Sequence, residues 1–382
     1  MTAHSLLYIK TIPRLCNSNT LSLGCKRFQK AITSPVYFIM PRHHPGNPAS
    51  RVTIADVARQ AGVSIATVSR VLNTSGPVIP ETQVRVRAAI SQLGYSPQAA
   101  ARNLASQCTH AIGLLLPVIG GDFFSLMLNG VEAEVNRSGY DLLIATFQPD
   151  RGPRIYATPL GKHNTDGVII FTDPLFDTTI HHFYEAQFPI VLLYQSAPEQ
   201  LPIPSVTIEN KDGSRKLIDH LIDVHGYRRI GFLRGPDRNE DSFWRERGYR
   251  ESMELHGITI NPQWIAEGAF TEDISYNAVM HWVKSGNLPE AIYAGSDEGA
   301  MGTYLALNQA GKRIPEDVAV VGFDDMSLAR YLTPPLTTIK APTEKVGRMA
   351  VRQLIRVIRT GSADPLSLLP TELVIRQSCG CK

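Results

Sequence analysis

The sequence predicts two folds in tandem, an all-α helix-turn-helix head and an α/β body built on two doubly wound parallel sheets. Three observations predict this. Between Arg51 and Tyr95 apolar residues recur with a helical period, broken at Gly62. From Ala111 onward, apolar strand runs alternate with amphipathic helical stretches, the pattern of parallel sheets covered on both faces. That alternation falls into two sets, which implies two lobes. A chain of 382 residues is long enough to bury a small head core and two larger ones.

In the head, Thr53 is an N-cap and Asp56 brings negative charge to the first helical turn. Ile54, Val57, Ala58 and Ala61 form the inward face, and Gly62 ends the helix and opens the turn. Ser64 caps a second helix running to Asn73, with Val68, Val71 and Leu72 inward. A third helix is predicted from about Glu81 to Leu93, with Val84, Val86, Ala89, Ile90 and Leu93 inward and Gly94 at its end. The second helix turns Ser64, Ile65, Ala66, Thr67, Ser69 and Arg70 outward. That face suits DNA. Hydroxyls at a helix N-terminus match phosphate oxygens, and an arginine bidentate to a guanine edge gives about 1–3 kcal/mol of discrimination. The competing reading is an amphipathic helix pair whose polar face is merely hydrated.

Charge supports the first reading. Residues 1–50 hold six basic residues (Lys10, Arg14, Lys26, Arg27, Lys30, Arg42) and no acid, and residues 51–107 hold six against two. The rest carries 26 basic against 33 acidic residues, within a net charge of +3. A basic head on an acidic body fits a protein that meets nucleic acid at one end.

The runs Thr53-Ile54-Ala55-Asp56-Val57-Ala58 and Gly62 through Asn73 closely resemble the head of the lactose/galactose-repressor (LacI/GalR) family, and the resemblance covers nearly all of the chain after Arg51. It implies a periplasmic-binding-protein-like body and a homodimeric, or dimer-of-dimers, regulator of transcription. Its partners would be double-stranded operator DNA and a small effector, a sugar first, with a nucleobase or other metabolite as the alternative. No catalytic residue and no cofactor are implied. The DNA contacts would come from Thr53, Ser64, Ile65, Ala66, Thr67, Ser69, Arg70, Asn73 and Tyr95. Ile65 and Ala66 replace larger or polar readers of some relatives and should set operator preference.

Domain bounds follow: head 51–96, hinge 97–107, and effector-binding and dimerisation body 108–382. Pro97 and the alanines after it favour a helix too short to persist alone in water. The resemblance makes it a hinge helix that orders in the minor groove, with Ala101 at the DNA and Leu104 as the wedge that kinks it. The alternative is a plain linker whose Leu104 packs on the body. Residues 1–50 fit nothing in the family pattern. We read them as a disordered extension, or as a start assigned too early with Met40 as the true one, rather than a cleaved signal, which would export a DNA-binding head.

In the body, strands are expected at Ala111–Leu116, Asp141–Ala145, Gly167–Phe171 and Pro189–Leu193, then at Arg229–Leu233, Glu290–Ala294 and Val318–Gly322. Helices lie between, for example at Ser125–Ser138, Lys211–His225, Ser242–His256 and Asp297–Ala310. The first lobe would comprise about 108–208 and 341–360, the second about 209–340 and 361–382. Such sheets bind ligands beyond the carboxyl ends of their strands. There the resemblance places the effector residues: Asp122, Phe123 and Phe124; Arg245; Phe270, which would stack on the ligand; and Asp324, which would accept its hydroxyls. An arginine, an aspartate and aromatic faces suit a sugar. The alternatives are an Arg245–Asp324 salt bridge between lobes and core packing for the phenylalanines. Two further cleft positions depart from the family. Ser296-Asp297 replaces the usual Asn-Asp, and Tyr194 stands where an aspartate is common. The segment Gln148–His163, with Gly152-Pro153 and Pro159, is a poor helix where relatives have a good one.

Other functions find less support. No nucleophile–base–acid set, phosphate-cradling glycine loop or metal cluster is visible, which argues against an enzyme. Five scattered cysteines fit a reducing compartment. Cys379-Gly380-Cys381 is not a standard zinc spacing, and no second Cys/His pair is near it in sequence, so no metal site is expected. His43-His44 and His181-His182 are adjacent and point to different sides. No apolar run spans a bilayer, and a periplasmic transport role conflicts with the head. The expected location is the bacterial cytoplasm, at the nucleoid.

Overall fold

The computed structural model describes residues 52–73, 76–95, 108–146, 159–171, 177–198 and 201–382. The amino-terminal extension, the hinge with Ala101 and Leu104, and most of the weak helical segment Gln148–His163 lie outside the described residues.

The head is three helices, α1 (Ile54–Ala61), α2 (Ile65–Asn73) and α3 (Pro80–Leu93). Thr53 and Asp56 close a reciprocal capping box: the Asp56 N–H donates to Thr53 Oγ1 at 3.3 Å and the Thr53 N–H to Asp56 Oδ2 at 2.9 Å. Gly62 takes the left-handed backbone that ends α1, at φ 63°. Val57, Ala58, Ala61, Val68, Val86 and Ala89 make the core, with Val71, Leu72, Ile90, Leu93 and Tyr95 packed at its edge. One inward assignment fails. Val84 is 67% exposed, and Thr82 is buried instead. Positions 82, 86, 89 and 93 keep the helical period, whereas Val84 falls on the opposite side.

The body contains two six-stranded sheets of like topology. The first runs β11-β5-β4-β3-β1-β2, from β1 (Ala111–Leu116), β2 (Asp141–Thr146), β3 (Gly167–Phe171), β4 (Ile190–Leu193), β5 (Ser205–Ile208) and β11 (Leu366–Leu369). The second runs β12-β10-β9-β8-β6-β7, from β6 (Ile230–Arg234), β7 (Ile265–Glu267), β8 (Ala291–Ala294), β9 (Ala319–Asp324), β10 (Thr337–Lys340) and β12 (Glu372–Val374). All pairings are parallel except β10 with β12. Strand order reverses between β1 and β3 in one sheet and between β6 and β8 in the other, so each lobe has a crevice at that switch point. Central strands are buried on both faces, with Ile112, Leu114, Ile169 and Val191 on one and Leu115, Val168, Ile170 and Leu192 on the other, and each such side chain contributes about 1.5–3 kcal/mol.

Helices α4 (Gly121–Arg137) and α10 (Thr343–Thr360) cover the first sheet together with α5 (Asp177–Glu185). Helices α6 (Asn210–Asp223), α7 (Glu240–Leu255), α8 (Glu272–Lys284) and α9 (Asp297–Gln309) cover the second. Helix α10 buries Val346, Ala350, Val351 and Leu354 along one stripe and crosses α4 at Gly130 and Gly347, where a Cβ would strike the facing backbone. Helix α4 begins one turn before the predicted Ser125. Short strands β5, β7 and β11 escape the sequence pattern. β11 also corrects the lobe bounds: Leu366–Leu369 pair with Ser205–Ile208 in the first sheet, not in the second lobe. Among the described residues no helix is long and apolar enough to cross a membrane.

Candidate DNA-reading face and effector cleft

The head presents a polar helix start outward. Ser64, Ile65, Ala66 and Arg70 are exposed, with Ile65 at 50%. Ser64 Oγ accepts from the Thr67 N–H at 3.2 Å, which starts α2, and its hydroxyl lies 2.9 Å from Thr67 Oγ1. Thr53 is exposed but engaged with Asp56, while Ser69 and Tyr95 are half-buried. Thus α1 and α3 hold α2 from behind, and its amino end stands clear of the core.

In the second lobe the site grows from Arg245 on α7. Arg245 is 2% exposed. Nε donates to Asn210 Oδ1 at 2.9 Å, Nη1 to the Gly295 carbonyl at 2.6 Å and Nη2 to Asp324 Oδ1 at 3.2 Å. Of the five N–H groups of a guanidinium, three are engaged in this way among the described residues. Its cation also lies 3.8 Å from the Phe323 ring centroid and 5.1 Å from that of Phe270. Asp324 ends β9 in a left-handed conformation at φ 115°. Burial pushes its carboxyl up to about 7, against the pull of Arg245. Asp241 accepts from Asn210 Nδ2 at 2.7 Å, and burial raises it to about 6, again opposed by Arg245. One arginine therefore serves two buried carboxyls. The Phe270 ring lies on the backbones of Gly235 and Gly295, at the β6/β8 switch point, where any side chain on Gly235 would run into it. Phe270 itself is left-handed, at φ 61°, and only half-buried.

The first lobe offers rings. Phe123 and Phe124 start α4 after β1, Phe171 ends β3 and Tyr194 follows β4. Centroids stand 5.5 Å apart for Phe123–Phe124, 5.1 Å for Phe124–Phe171, 5.3 Å for Phe123–Tyr194 and 5.4 Å for Phe171–Tyr194. Tyr194 is 1% exposed, and burial holds its hydroxyl far above its ordinary value, with Asp241 and Asp324 adding to the shift and Arg245 opposing it. The two walls therefore feel each other's field. They also touch at two points. Asp122 Oδ2 accepts from the Ser327 N–H at 2.8 Å, and Glu240 accepts from the Ser196 N–H at 2.6 Å and hydroxyl at 2.7 Å. A separate cavity of about 380 Å³, lined by Arg234, Arg238, Glu240 and Phe243 among others, lies at the start of α7 and does not include Arg245, Phe270 or Asp324.

Ser296, a departure from the family, and its neighbour Asp297 are both engaged within the second lobe. Ser296 caps α9, its Oγ accepting from the Gly299 N–H at 3.0 Å. Asp297 is 2% exposed and accepts from the Met326 N–H at 2.7 Å and Thr338 Oγ1 at 2.5 Å, so both oxygens are engaged within the lobe. Asp122 bridges lobes and Tyr194 packs in the ring cluster. Asn210, Asp241 and Phe171 join the site though the sequence did not single them out. Phe171 was accessible to the same strand-end argument; Asn210 follows β5, too short to be seen. The alternative of an Arg245–Asp324 salt bridge holds in part: the pair forms at 3.2 Å, but within the second lobe rather than between lobes. A further correction concerns the C-terminal cysteines: His220, His225, Cys379 and Cys381 come together in space, although no Cys/His pair accompanies the cysteines in sequence.

Comparison with known proteins agrees with both halves. Residues 53–98 match the model of bacterial regulatory proteins of the lacI family, and residues 218–379 match a periplasmic binding protein-like domain. The chain is 34% identical over 330 residues to the HTH-type transcriptional regulator RegA of Clostridium saccharobutylicum, covering 85% of this chain and 98% of that one. Among solved structures, a CelR–cellobiose complex superposes with a TM-score of 0.63 at 31% identity, over 86% of this chain and all of that one. The lac repressor dimer bound to operator and the anti-inducer ONPF superposes at 0.75 and 26% identity, over 86% of this chain and 99% of that one. A helix-turn-helix head, two sheets with facing switch points and this extent of likeness lead to one conclusion: the chain belongs to the LacI family and is a DNA-binding, effector-responsive regulator of transcription, not an enzyme.

Proposed function

We propose that the protein is a dimeric repressor of the bacterial cytoplasm, acting at the nucleoid, whose grip on its operator is set by a sugar held between the lobes. The observation that carries this is Arg245: a buried guanidinium bonded to Asp324 and set against the Phe270 ring at the carboxyl ends of the second sheet. Ionised donors and acceptors bind paired hydroxyls strongly, and a ring covers the apolar face of a pyranose. The solved CelR relative carries cellobiose, which favours the same class here.

Two copies supply two heads for a two-fold operator, as in the lac repressor dimer. Effector binding changes how the lobes close, and closure changes hinge spacing; DNA and effector then alter each other's affinity by one common factor. Leu104 would act at the hinge, so Leu104→Ala should weaken specific binding more than non-specific binding. Equal losses on both would remove the wedge. The ring cluster of Phe123, Phe124, Phe171 and Tyr194 supports a second reading, in which the effector is a flat nucleobase.

Calorimetry of the full chain against mono- and disaccharides and nucleobases separates the two. The sugar reading expects saturable binding of a saccharide, lost in Arg245→Ala. A nucleobase bound in place of every saccharide would overturn it.

A further inference from the structure

Far from the cleft, the end of α6 and the carboxyl-terminal tail bring four soft donors together. His220 lies in the last turn of α6, His225 just beyond it, and Cys379 and Cys381 on the tail. His220 Nε2 lies 3.5 Å from Cys379 Sγ and 3.6 Å from Cys381 Sγ, and His225 Nε2 lies 3.4 Å from Cys381 Sγ. All four donor atoms fall within 4.8 Å of one another. A tetrahedral zinc ion with ordinary Zn–S and Zn–N bonds requires an S···N edge of about 3.6 Å. The three sulfur–nitrogen distances match that edge.

We propose that His220, His225, Cys379 and Cys381 bind one zinc-class divalent ion that fastens the tail to the end of α6. Two thiolates and two neutral imidazoles balance a dication, and an S₂N₂ tetrahedron selects zinc over hard, oxygen-seeking metals. Four protein donors close the coordination sphere, which makes the ion structural. His220-x₄-His225 is itself a standard histidine spacing for zinc.

The surroundings hold the donors in place. Thr337 Oγ1 donates to Cys379 Sγ at 3.2 Å, fixing the sulfur from outside the ligand set. The Tyr227 ring stacks on His225, centroids 5.6 Å apart, and its hydroxyl donates to the Cys379 carbonyl at 3.4 Å. Ser378 is stitched to both neighbouring strands: its Oγ accepts from the Thr337 N–H at 2.8 Å and donates to the Val320 carbonyl at 2.5 Å. Gly380 lies at φ 108°, where a side chain would be strained and would press on His225. Val320 and Thr337 stand near the amino ends of β9 and β10, whereas Asp324 ends β9. The ion would therefore stabilise the second lobe from the edge opposite the effector wall.

The test uses the full chain, purified under reducing conditions and stripped with a chelator. Titration with Co(II) should give one equivalent per chain, with tetrahedral visible bands and thiolate-to-cobalt charge transfer. Zinc should displace the cobalt and raise the melting temperature by several degrees. Cys379 is fully buried, so its loss alone could disturb folding. Cys381→Ser and His225→Ala, both at half-buried positions, should keep the native circular dichroism yet bind cobalt roughly a hundredfold more weakly and show no zinc shift. The proposal is overturned by any of three results: no stoichiometric metal, equal binding in the Cys381→Ser variant, or a Cys379–Cys381 disulfide that persists in reductant.

Discussion

The two walls of the cleft share one topology and differ in chemistry. At the switch point of the first sheet stand Phe123, Phe124 and Phe171, packed with Tyr194. At that of the second stand Arg245, Asp324 and Asp241, with the rings of Phe323 and Phe270 against the guanidinium. The first wall is held by dispersion and ring geometry, a handful of contacts worth about 0.5–1.5 kcal/mol per pair. The second is held by one cation shared between two buried carboxyls, where losing a single partner is costly. Equal backbones thus give one wall that tolerates change and one that does not, and the intolerant wall is where specificity for hydroxyls can reside.

The largest effect should come from that asymmetry. Arg245→Ala leaves Asp324 and Asp241 buried without their cation and should cost about 3–5 kcal/mol in urea unfolding, with loss of effector binding. Stability within about 1 kcal/mol of wild type would mean that the carboxyls are already neutral and the pair carries little.

Next comes pH. An unfolded aspartate titrates near 3.8, but folded Asp324 titrates near 7. Between those values the folded chain holds a proton that the unfolded chain lacks, so this group's contribution to stability falls as pH rises. Unfolding midpoints measured between about pH 5 and about pH 8 should show a negative component that Asp324→Asn removes. Effector affinity should move the other way, rising through about pH 7 as the carboxylate ionises and becomes the stronger acceptor. An affinity independent of pH would take Asp324 out of direct contact.

On the aromatic wall, Phe171→Ala should cost about 2 kcal/mol, less than a fully buried phenylalanine because the ring is partly exposed. Effector affinity should fall by less than in Arg245→Ala, and a larger fall would shift weight to the nucleobase reading. The smallest effect belongs to Ser296→Ala, which removes a helix cap worth about 1 kcal/mol. Calorimetry should find effector affinity unchanged; a tenfold loss would restore Ser296 as a ligand contact.

Much of this was legible in the sequence, and the exceptions have physical causes. Long doubly buried strands such as Ala111–Leu116 announce themselves by continuous apolar runs. Strands β5, β7 and β11 have three or four residues, too few for a period. Strand β11 could not be assigned to its sheet, because pairing with β5 joins residues far apart in sequence. Val84 misled because its apolar character outweighed its phase on the helix. Among site residues, Arg245, Asp324 and Phe270 came from resemblance and do converge in space. Asn210 and Asp241 did not stand out, since nothing local marks a residue whose role is to orient another. Cys379 and His220 lie 159 residues apart, and only folding brings them together.

The central claim is that occupancy of the cleft controls the head's hold on DNA. Its most direct test is fluorescence anisotropy of a labelled operator, selected from a random duplex pool, titrated with full-length protein with and without the saccharide that calorimetry identifies. The account predicts a shift in operator affinity of roughly fivefold or more in wild type, and operator binding without any shift in Arg245→Ala. An affinity unmoved by a saturating effector in the wild-type chain would contradict it.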